Sequence, residues 1–400
     1  MRLLFVTSRL PYPPHRGDQL KVYQLLRHFS REHAITLVTF VGSRKELRFV
    51  DELRPYCAEI VPVIHRPLTG ILKCFGSIPS KQPFQLAYFD SEKMRRTVSR
   101  VASSHRFDAI YVHLIRMANY VKDIGGVRKI LAIEDPLSLH YERALPYWGL
   151  LARLFYRIEW RRVLEYEKGI VQHFDQCLLV SPTDKDELER RWGFRDLAIS
   201  PHGVDLDYFS RQIVSNGGPP SILFSGNMGY YPNIDAVLYF WKEILPAIWR
   251  AIPNARLTIV GARPAAAVRR LAADPRITVT GPVQDIRPYF KDATVAVCPL
   301  RIGAGIQNKI LEALAMGVPV VTTPLGAEGV RAEPETQILL AEDAEAFARQ
   351  TIRVATDHEL GRFLSENGRR FVEERYSWKT NLRTLEPVFF PSSDAVLPRR

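Results

Sequence analysis

The 400 residues contain only four cysteines, Cys57, Cys74, Cys177 and Cys298, and no two form a C-x-x-C pair. That scarcity excludes a disulfide framework and a zinc knuckle. Cys177 and Cys298 fall in apolar strand patterns and read as small core residues, which fits a reducing cytoplasm. No apolar run approaches the ~20 residues that a membrane-spanning helix needs. The run Leu3 to Val6 is too short for a secretory leader, and a polar, proline-rich loop follows it. The dinucleotide fingerprint G-x-G-x-x-G is missing after the first strand pattern, which argues against nicotinamide or flavin chemistry. No Asp-x-Asp motif stands at a strand end and no His/Cys cluster has ligand spacing, so no metal and no cofactor is expected. Acidic residues are also in short supply: 43 Asp and Glu face 55 Lys and Arg, a net charge of +12. Such an excess suits an anionic partner. No RRM, zinc-finger or helix-turn-helix signature supports nucleic acid in that role.

What is present is globular: 46% hydrophobic and 24% charged residues. The length exceeds what one core ordinarily serves, so two domains are expected. The most informative stretch is VAVCPLRIGAGIQNKILEALAMGVPVVTTPLG, from Val295 to Gly326. Val295 to Leu300 reads as a buried strand. Arg301 to Gly305 is a loop whose glycines let backbone approach a ligand. Ile306 to Met316 has helical spacing, with Ile306, Ile310 and Leu314 on one stripe. Gly317 stands where a C-terminal helix glycine belongs, and Val318 to Thr323 is a second buried strand. A helix N-terminus behind a glycine loop suits a phosphate. No G-K-[ST] follows the glycines, so this is not a Walker loop. Lys309 and Glu312 share a helix face. The cation suits a phosphate and the carboxylate suits a ribose diol, although a plain surface ion pair would have the same spacing.

The remainder alternates strand and helix, the pattern of a doubly wound α/β fold. Leu3 to Thr7, the loop SRLPYPPHRGD, a helix with Leu20, Tyr23, Leu26 and Phe29 on one stripe, and Ile35 to Phe40 form one unit. Asp18 is expected to cap that helix. Arg16 and Gly17 then lie at the C-terminal edge of a parallel sheet, where ligands bind. His65 to Phe89 reads as a long irregular loop. His113 ends the strand DAIYVHL, and Glu134 and Asp135 end the strand from Lys129. The two acids either orient a hydroxyl or cap the next turn, and the cap is preferred. Trp148 to Val163 is amphipathic, with Leu151, Leu154, Phe155 and Ile158 on one face and four arginines around the rest. It is expected to face the core, with a membrane surface as the alternative. Arg211 to Pro220 has linker composition. SILFSGNMGYYPNID then opens a second domain in the same way as the first.

On these residues a resemblance can be placed. ILEALAMGVPVV is similar to the donor segment of the retaining glycosyltransferases of family 4, whose pattern E-x7-E ends in LEAMAxGxPVV. Glu312 takes the place of the second glutamate, and Ala304 stands where the first would fall. GAGIQNKILEA resembles a subgroup in which backbone amides and a lysine serve the donor. The chain as a whole is most similar to sugar transferases associated with exosortase-linked exopolysaccharide systems. The resemblance implies the GT-B fold, two Rossmann-like doubly wound domains facing a central cleft. It places an acceptor-side domain at 1–210, a linker at 211–220, a nucleotide-sugar domain at 221–375, and a helix crossing back, with a mobile tail, at 376–400.

By the same resemblance, His113, Lys309 and Glu312 carry the chemistry. Gly17, Gly226, Asn227, Val283, Gly303, Ala304, Gly305, Ile306 and Gln307 hold the donor, while Arg16 and Asp135 serve the acceptor. The family's GRxxxxKG loop is replaced here by Asn227, Tyr230, Tyr231 and Asn233, leaving Lys309 as the main cation for a diphosphate. Asp285, in a GxVxD-like loop, is expected to cap the next helix. The implied reaction is sugar transfer from a nucleotide sugar to a glycan or lipid-linked acceptor, with retention and without metal. The departing phosphate acts as base on the front face. The implied setting is cytoplasmic, with an anionic membrane surface as a further partner. A nucleotide-sugar epimerase of the same fold, or a catalytically silent binding subunit, remains an alternative. A phosphorolytic enzyme would require a cofactor-anchoring lysine, and none is identified.

Overall fold

The computed structural model of the chain describes residues 1–14, 16–147, 149–210, 218–303 and 305–391, the side chain of Leu151 aside. Trp148, most of the expected linker and the tail beyond Pro391 lie outside those residues. The chain divides into two compact units, one of Met1–Ser200 with Leu382–Arg400, the other of Pro201–Asn381.

The first unit is built on a seven-stranded sheet. Its strands are β1 (Arg2–Thr7), β2 (Ala34–Val41), β3 (Glu59–Ile64), β4 (Ala109–His113), β5 (Arg128–Glu134), β6 (Gln176–Leu179) and β7 (Leu197–Ile199). Their order is β3-β2-β1-β4-β5-β6-β7, and every pairing is parallel. The second unit has β8 (Ser221–Ser225), β9 (Arg256–Val260), β10 (Ile277–Val279), β11 (Val295–Cys298), β12 (Val320–Thr322) and β13 (Leu339–Leu340). Its order, β10-β9-β8-β11-β12-β13, is again all parallel. Both sheets therefore have the Rossmann order, with the first strand at the point where the winding reverses.

Parallel sheets are covered by helices on both faces, so their strands read as continuous apolar runs rather than alternating ones. Leu3, Leu4, Phe5 and Val6 are wholly buried, as are Val295, Val297 and Cys298. Each unit's core forms on such strands. After the helix His358–Arg375 the chain returns to the first unit. There Phe389 packs its ring 4.5 Å from Phe29, 5.7 Å from Tyr111 and 6.3 Å from Phe5. Arg128 Nε donates to the Val388 carbonyl at 2.8 Å, and His28 meets Glu386 at 3.0 Å.

Two helical expectations change. His65 to Phe89 is not irregular, because it holds the helices Pro67–Gly76 and Phe84–Phe89. Pro67 sits at the first helical position, where its missing N–H costs nothing, so it starts a helix instead of breaking one. The helix expected at Trp148 to Val163 is Leu150–Val171, and its first half does not face a core: Leu154, Phe155 and Ile158 are all exposed. Among the described residues no helix is long and apolar enough to cross a membrane.

The end of the helix Asn308–Ala315 is a Schellman motif. Gly317 has φ +73°, its N–H donates to the Leu314 carbonyl at 3.0 Å, and the Val318 N–H reaches the Ala313 carbonyl at 2.9 Å. A Cβ at that left-handed position is strained, so Gly317→Ala is expected to cost about 1 kcal/mol and to lower the unfolding temperature in a thermal melt.

Candidate active site

In the second unit the reversal point lies between β8 and β11. β8 runs into Gly226, whose N–H donates to the Val260 carbonyl at 2.9 Å. A Cβ on Gly261 would lie 1.7 Å from the Gly226 carbonyl oxygen. Only glycine lets these two strand ends approach so closely. Asn227 turns the loop by accepting from the Gly229 N–H at 3.0 Å, and Asn233 Nδ2 donates to the Asn227 carbonyl at 3.0 Å.

β11 leads into the loop that carries Gly303 and Gly305. Gly305 has φ +73° and Gln307 is extended, so the helix starts at Asn308. The expected start at Ile306 is thus two residues early, and Ile306 is a buried loop residue. Ala304 lies outside the described residues. The N-cap residue, Gln307, makes no side-chain cap hydrogen bond to the helix among the described residues. Lys309, in its first turn, donates to Asn233 Oδ1 and stands 4.8 Å from the Phe224 ring centroid. The lysine thereby joins its helix to the helix Tyr231–Tyr239, whose Asn233 in turn holds the loop after β8 through the Asn227 carbonyl. Burial pulls Lys309 below the usual lysine range, opposed by Cys298 and Glu312. Burial pushes Glu312 up to about 7, against the pull of Lys309. Asn308 Oδ1 is buried without a hydrogen-bond donor among the described residues. Val283 lies on the loop after β10, apart from this group in sequence and half-buried. Next to it Asp285 does not cap the helix Arg287–Lys291, whose N-cap is Ile286; standing one residue earlier, it accepts from the Arg287 N–H at 3.0 Å and pairs with the Arg287 guanidinium at 2.7 Å.

In the first unit the reversal point lies between β1 and β4. Gly17 is the first residue of the helix Gly17–Phe29, and Arg16 precedes it. Asp18 does not cap this helix: no side chain does. Its carboxylate instead gathers Arg9 at 2.5 Å, Arg16 at 3.4 Å and Arg116 at 3.9 Å. Burial alone would raise it, but Arg9, Arg16 and Arg116 outweigh that and hold it at about 2. Arg116 also donates from Nε to Ser8 Oγ at 3.0 Å and lies over the Phe89 ring. Burial and the neighbouring Arg9 lower it to about 9.

His113 is buried at the end of β4, its Nδ1 3.2 Å from the Tyr111 hydroxyl. Burial, aided by Lys21, Arg116 and Arg9, lowers it to about 3, so the ring is neutral near pH 7. In the tautomer in which the Tyr111 hydroxyl donates to Nδ1, the ring proton is on Nε2. That nitrogen has no hydrogen-bond partner among the described residues. Beside it, fully buried Lys21 pairs with Glu134 at 3.1 Å and donates to the Ser200 carbonyl. Burial pushes Glu134 upward and Lys21 downward, and each opposes the other's shift. Neither Glu134 nor Asp135 caps the following helix, Leu137–Ala144. Glu167 does so, accepting from the Leu137 N–H at 2.9 Å and from the Ser138 hydroxyl. Asp135 is left exposed at the end of β5.

The structure thus brings Gly226, Asn227 and Lys309 together in one unit, and Arg16, Gly17 and His113 to one sheet edge in the other. Sequence reasoning missed Asn233 as the lysine's partner, Arg116, Lys21 and the Arg301–Asp235 pair. In that pair Nε and Nη2 reach the two carboxylate oxygens at 3.0 and 2.6 Å, and Arg301 lies over the Tyr239 ring. Lys21 carried one signal: it stands four residues before Leu25 and eight before Phe29, on the side of the helix that is buried.

Residues 219–357 match the family model described as Glycosyl transferases group 1. An uncharacterised 44.6 kDa protein of the cps region of Klebsiella pneumoniae is 19% identical over 94% of this chain and 97% of its own. The capsular polysaccharide biosynthesis glycosyltransferase CapM of Staphylococcus aureus is 28% identical over 30% of this chain and 32% of its own. Among solved structures, sucrose-phosphate synthase of Thermosynechococcus elongatus superposes with a TM-score of 0.72, covering 97% of this chain and 98% of its own at 19% identity. HepE of Anabaena, solved with UDP-glucose, gives 0.69, covering 97% and 99% at 12% identity. The fold is GT-B, and with the group 1 domain in its second unit the chain is a glycosyltransferase.

Two measurements probe the charges described. Glu312 has a folded value above its ordinary 4.5. The folded state therefore binds the extra proton, and its contribution to stability is complete below about 4.5 and is lost as pH rises through about 7. Glu312→Gln is thus expected to raise the melting temperature at pH 8 more than at pH 5. Lys21→Met leaves Glu134 without its cation and should cost about 3–5 kcal/mol. Denaturant titration should find most of that restored in Lys21→Met/Glu134→Gln.

Proposed function

We propose that the chain transfers a sugar from a nucleotide-sugar donor to a saccharide or lipid-linked acceptor, with retention at the anomeric carbon, as a family 4 enzyme of surface-polysaccharide synthesis. The observation that carries this reading is Lys309, held by Asn233 in the first turn of the helix Asn308–Ala315, at the reversal point of a group 1 glycosyltransferase domain. A half-buried ammonium at a helix N-terminus, with its neighbour Glu312 pushed toward neutrality by burial, suits an arriving anion, and a diphosphate supplies one. Glu312, one turn further on, accepts from the ribose hydroxyls, and its raised value falls when those donors arrive. Gly226, Asn227, Gly303, Gly305 and Gln307 present backbone near the phosphates, and Ala304 and Ile306 belong to the same loop. Val283 holds the base by its backbone.

In the transfer the bond from the anomeric carbon to the phosphate oxygen breaks. A bond to the acceptor oxygen forms on the same face, and the acceptor's proton passes to the departing phosphate. Lys309 and the helix dipole stabilise the charge that grows on that phosphate. His113, neutral, offers its Nε2–H to a sugar hydroxyl, and the Gly17 N–H supports a developing oxyanion. Arg16 and Asp135 serve the acceptor. Protein cations take the place of a metal, and the enzyme works on the cytoplasmic side. The cps-region relative and the capsular relative support the polysaccharide setting, and the UDP-glucose bound to HepE supports a nucleotide-sugar donor.

The test is incubation with labelled nucleotide sugars, with and without membrane lipid extract, in the presence and absence of EDTA. Acceptor-dependent nucleotide release that persists in EDTA is expected. Lys309→Ala should lower turnover by about 10²-fold with an unchanged circular dichroism spectrum. Epimerised sugar without acceptor, or tight binding without turnover, would overturn the reading in favour of an epimerase or a silent subunit.

A further inference from the structure

The first unit carries an amphipathic helix whose apolar side faces outward. Pro67–Gly76 packs on the segment from Phe84 to Asp90 through Gly70, Lys73 and Cys74. A Cβ on Gly70 would lie 2.7 Å from the Tyr88 carbonyl oxygen, so the backbones meet closely there. Lys73 Nζ reaches Asp90 Oδ2 at 2.8 Å, and Cys74 Sγ reaches the Phe84 carbonyl at 3.4 Å. Positions 70, 73 and 74 define the inner face, so the outer one holds Leu68, Ile71, Leu72 and Phe75. Leu68 is 79% exposed, Leu72 70% and Phe75 66%, and Ile78 just beyond is also exposed.

A second exposed apolar face lies beside it. In the helix Leu150–Val171, Leu150 is 83% and Leu154 63% exposed, and Phe155 and Ile158 are also open to solvent. The two helices meet at Phe84. Its ring stacks on Phe155 at 5.3 Å, and its N–H donates to Glu159 Oε1 at 2.6 Å. Arg162 donates to the Ile78 carbonyl at 2.6 Å. Monomeric proteins seldom expose large apolar side chains in contiguous groups of this kind without a partner to cover them.

The charges identify the partner. Residues 66–81 include Arg66, Lys73 and Lys81 and no acid. The first half of the second helix carries Arg153, Arg157, Arg161 and Arg162, and its one acid, Glu159, is buried. Leucine, isoleucine and phenylalanine ringed by an excess of cations match acyl chains beneath anionic headgroups. A second copy fits poorly, because it would set the same cations against each other.

We propose that the outward faces of Pro67–Gly76 and of the first half of Leu150–Val171 seat the chain on an anionic lipid bilayer. Leu68, Leu72, Phe75 and Leu154 enter the boundary between headgroups and acyl chains, and the arginines lie at the phosphates. The full chain is mixed with vesicles of phosphatidylglycerol and phosphatidylcholine, or of phosphatidylcholine alone, and sedimented. Binding to the anionic vesicles is expected, with loss of about tenfold or more both on pure phosphatidylcholine and in Leu72→Asp/Phe75→Asp. The variant's circular dichroism and nucleotide binding should match the parent's, since neither residue touches the proposed donor site. Equal partition to both vesicle types, or an undiminished variant, would overturn the proposal. So would a solution dimer that the same variant dissolves, since a second copy would then be the occupant. Because the readout is sedimentation, a failed transferase assay leaves the result interpretable.

Discussion

Two parallel strands can be neighbours only if the chain crosses over between them, and the crossover is almost always right-handed. From β1 the chain winds one way to β2 and β3 and then the other way to β4 and beyond; from β8 it does the same. At each reversal the connections leave in opposite directions, and the carboxyl ends of the central strands stay uncovered. Most of the candidate site residues are found there. His113 ends β4 and Arg16 and Gly17 follow β1, while Gly226 follows β8 and Lys309 follows β11. The sites are a by-product of winding, and the side chains at them are what sequence can vary.

Burial at those edges changes what the charged groups are. Lys309 and Glu312 stand one turn apart, and burial moves each toward neutrality. Lys21 and Glu134 do the same against each other in the first unit. Asp18 goes the opposite way because three guanidinium groups surround it. His113 shares that positive surrounding and stays neutral, so the first unit presents an uncharged imidazole beside fixed cations. Neutral donors and desolvated ions respond strongly to an arriving anion, since little water remains to screen them.

The sheets were legible because β1, β2, β4, β5, β8, β11 and β12 stand out as largely apolar runs. The Gly317 helix end was legible because a left-handed residue has few candidates. The start of the helix at Asn308 was not, because Ile306 continues the apolar spacing while Gly305 and Gln307 take backbone angles that the spacing does not record. The segment from His65 to Phe89 was misread for a related reason: prolines and glycines suggest loops, yet Pro67 starts a helix and Gly70 lets it pack. The amphipathic run near Phe155 was legible as a helix, but its pattern does not say which side meets water. At the candidate site, Lys309 announced itself by position. Asn233 and Arg116 did not, because the contacts that place them join residues far apart in the chain.

The stretch after Asn381 adds a constraint of another kind. Phe389 is wedged among Phe5, Phe29 and Tyr111, so the last described turns complete the body that the first strand began. The second unit is thus an insertion in the first, between Ser200 and Leu382. Exchange of the second unit for another would then require two breakpoints, and a single crossover would leave the first unit with a foreign closing segment against its aromatic cluster.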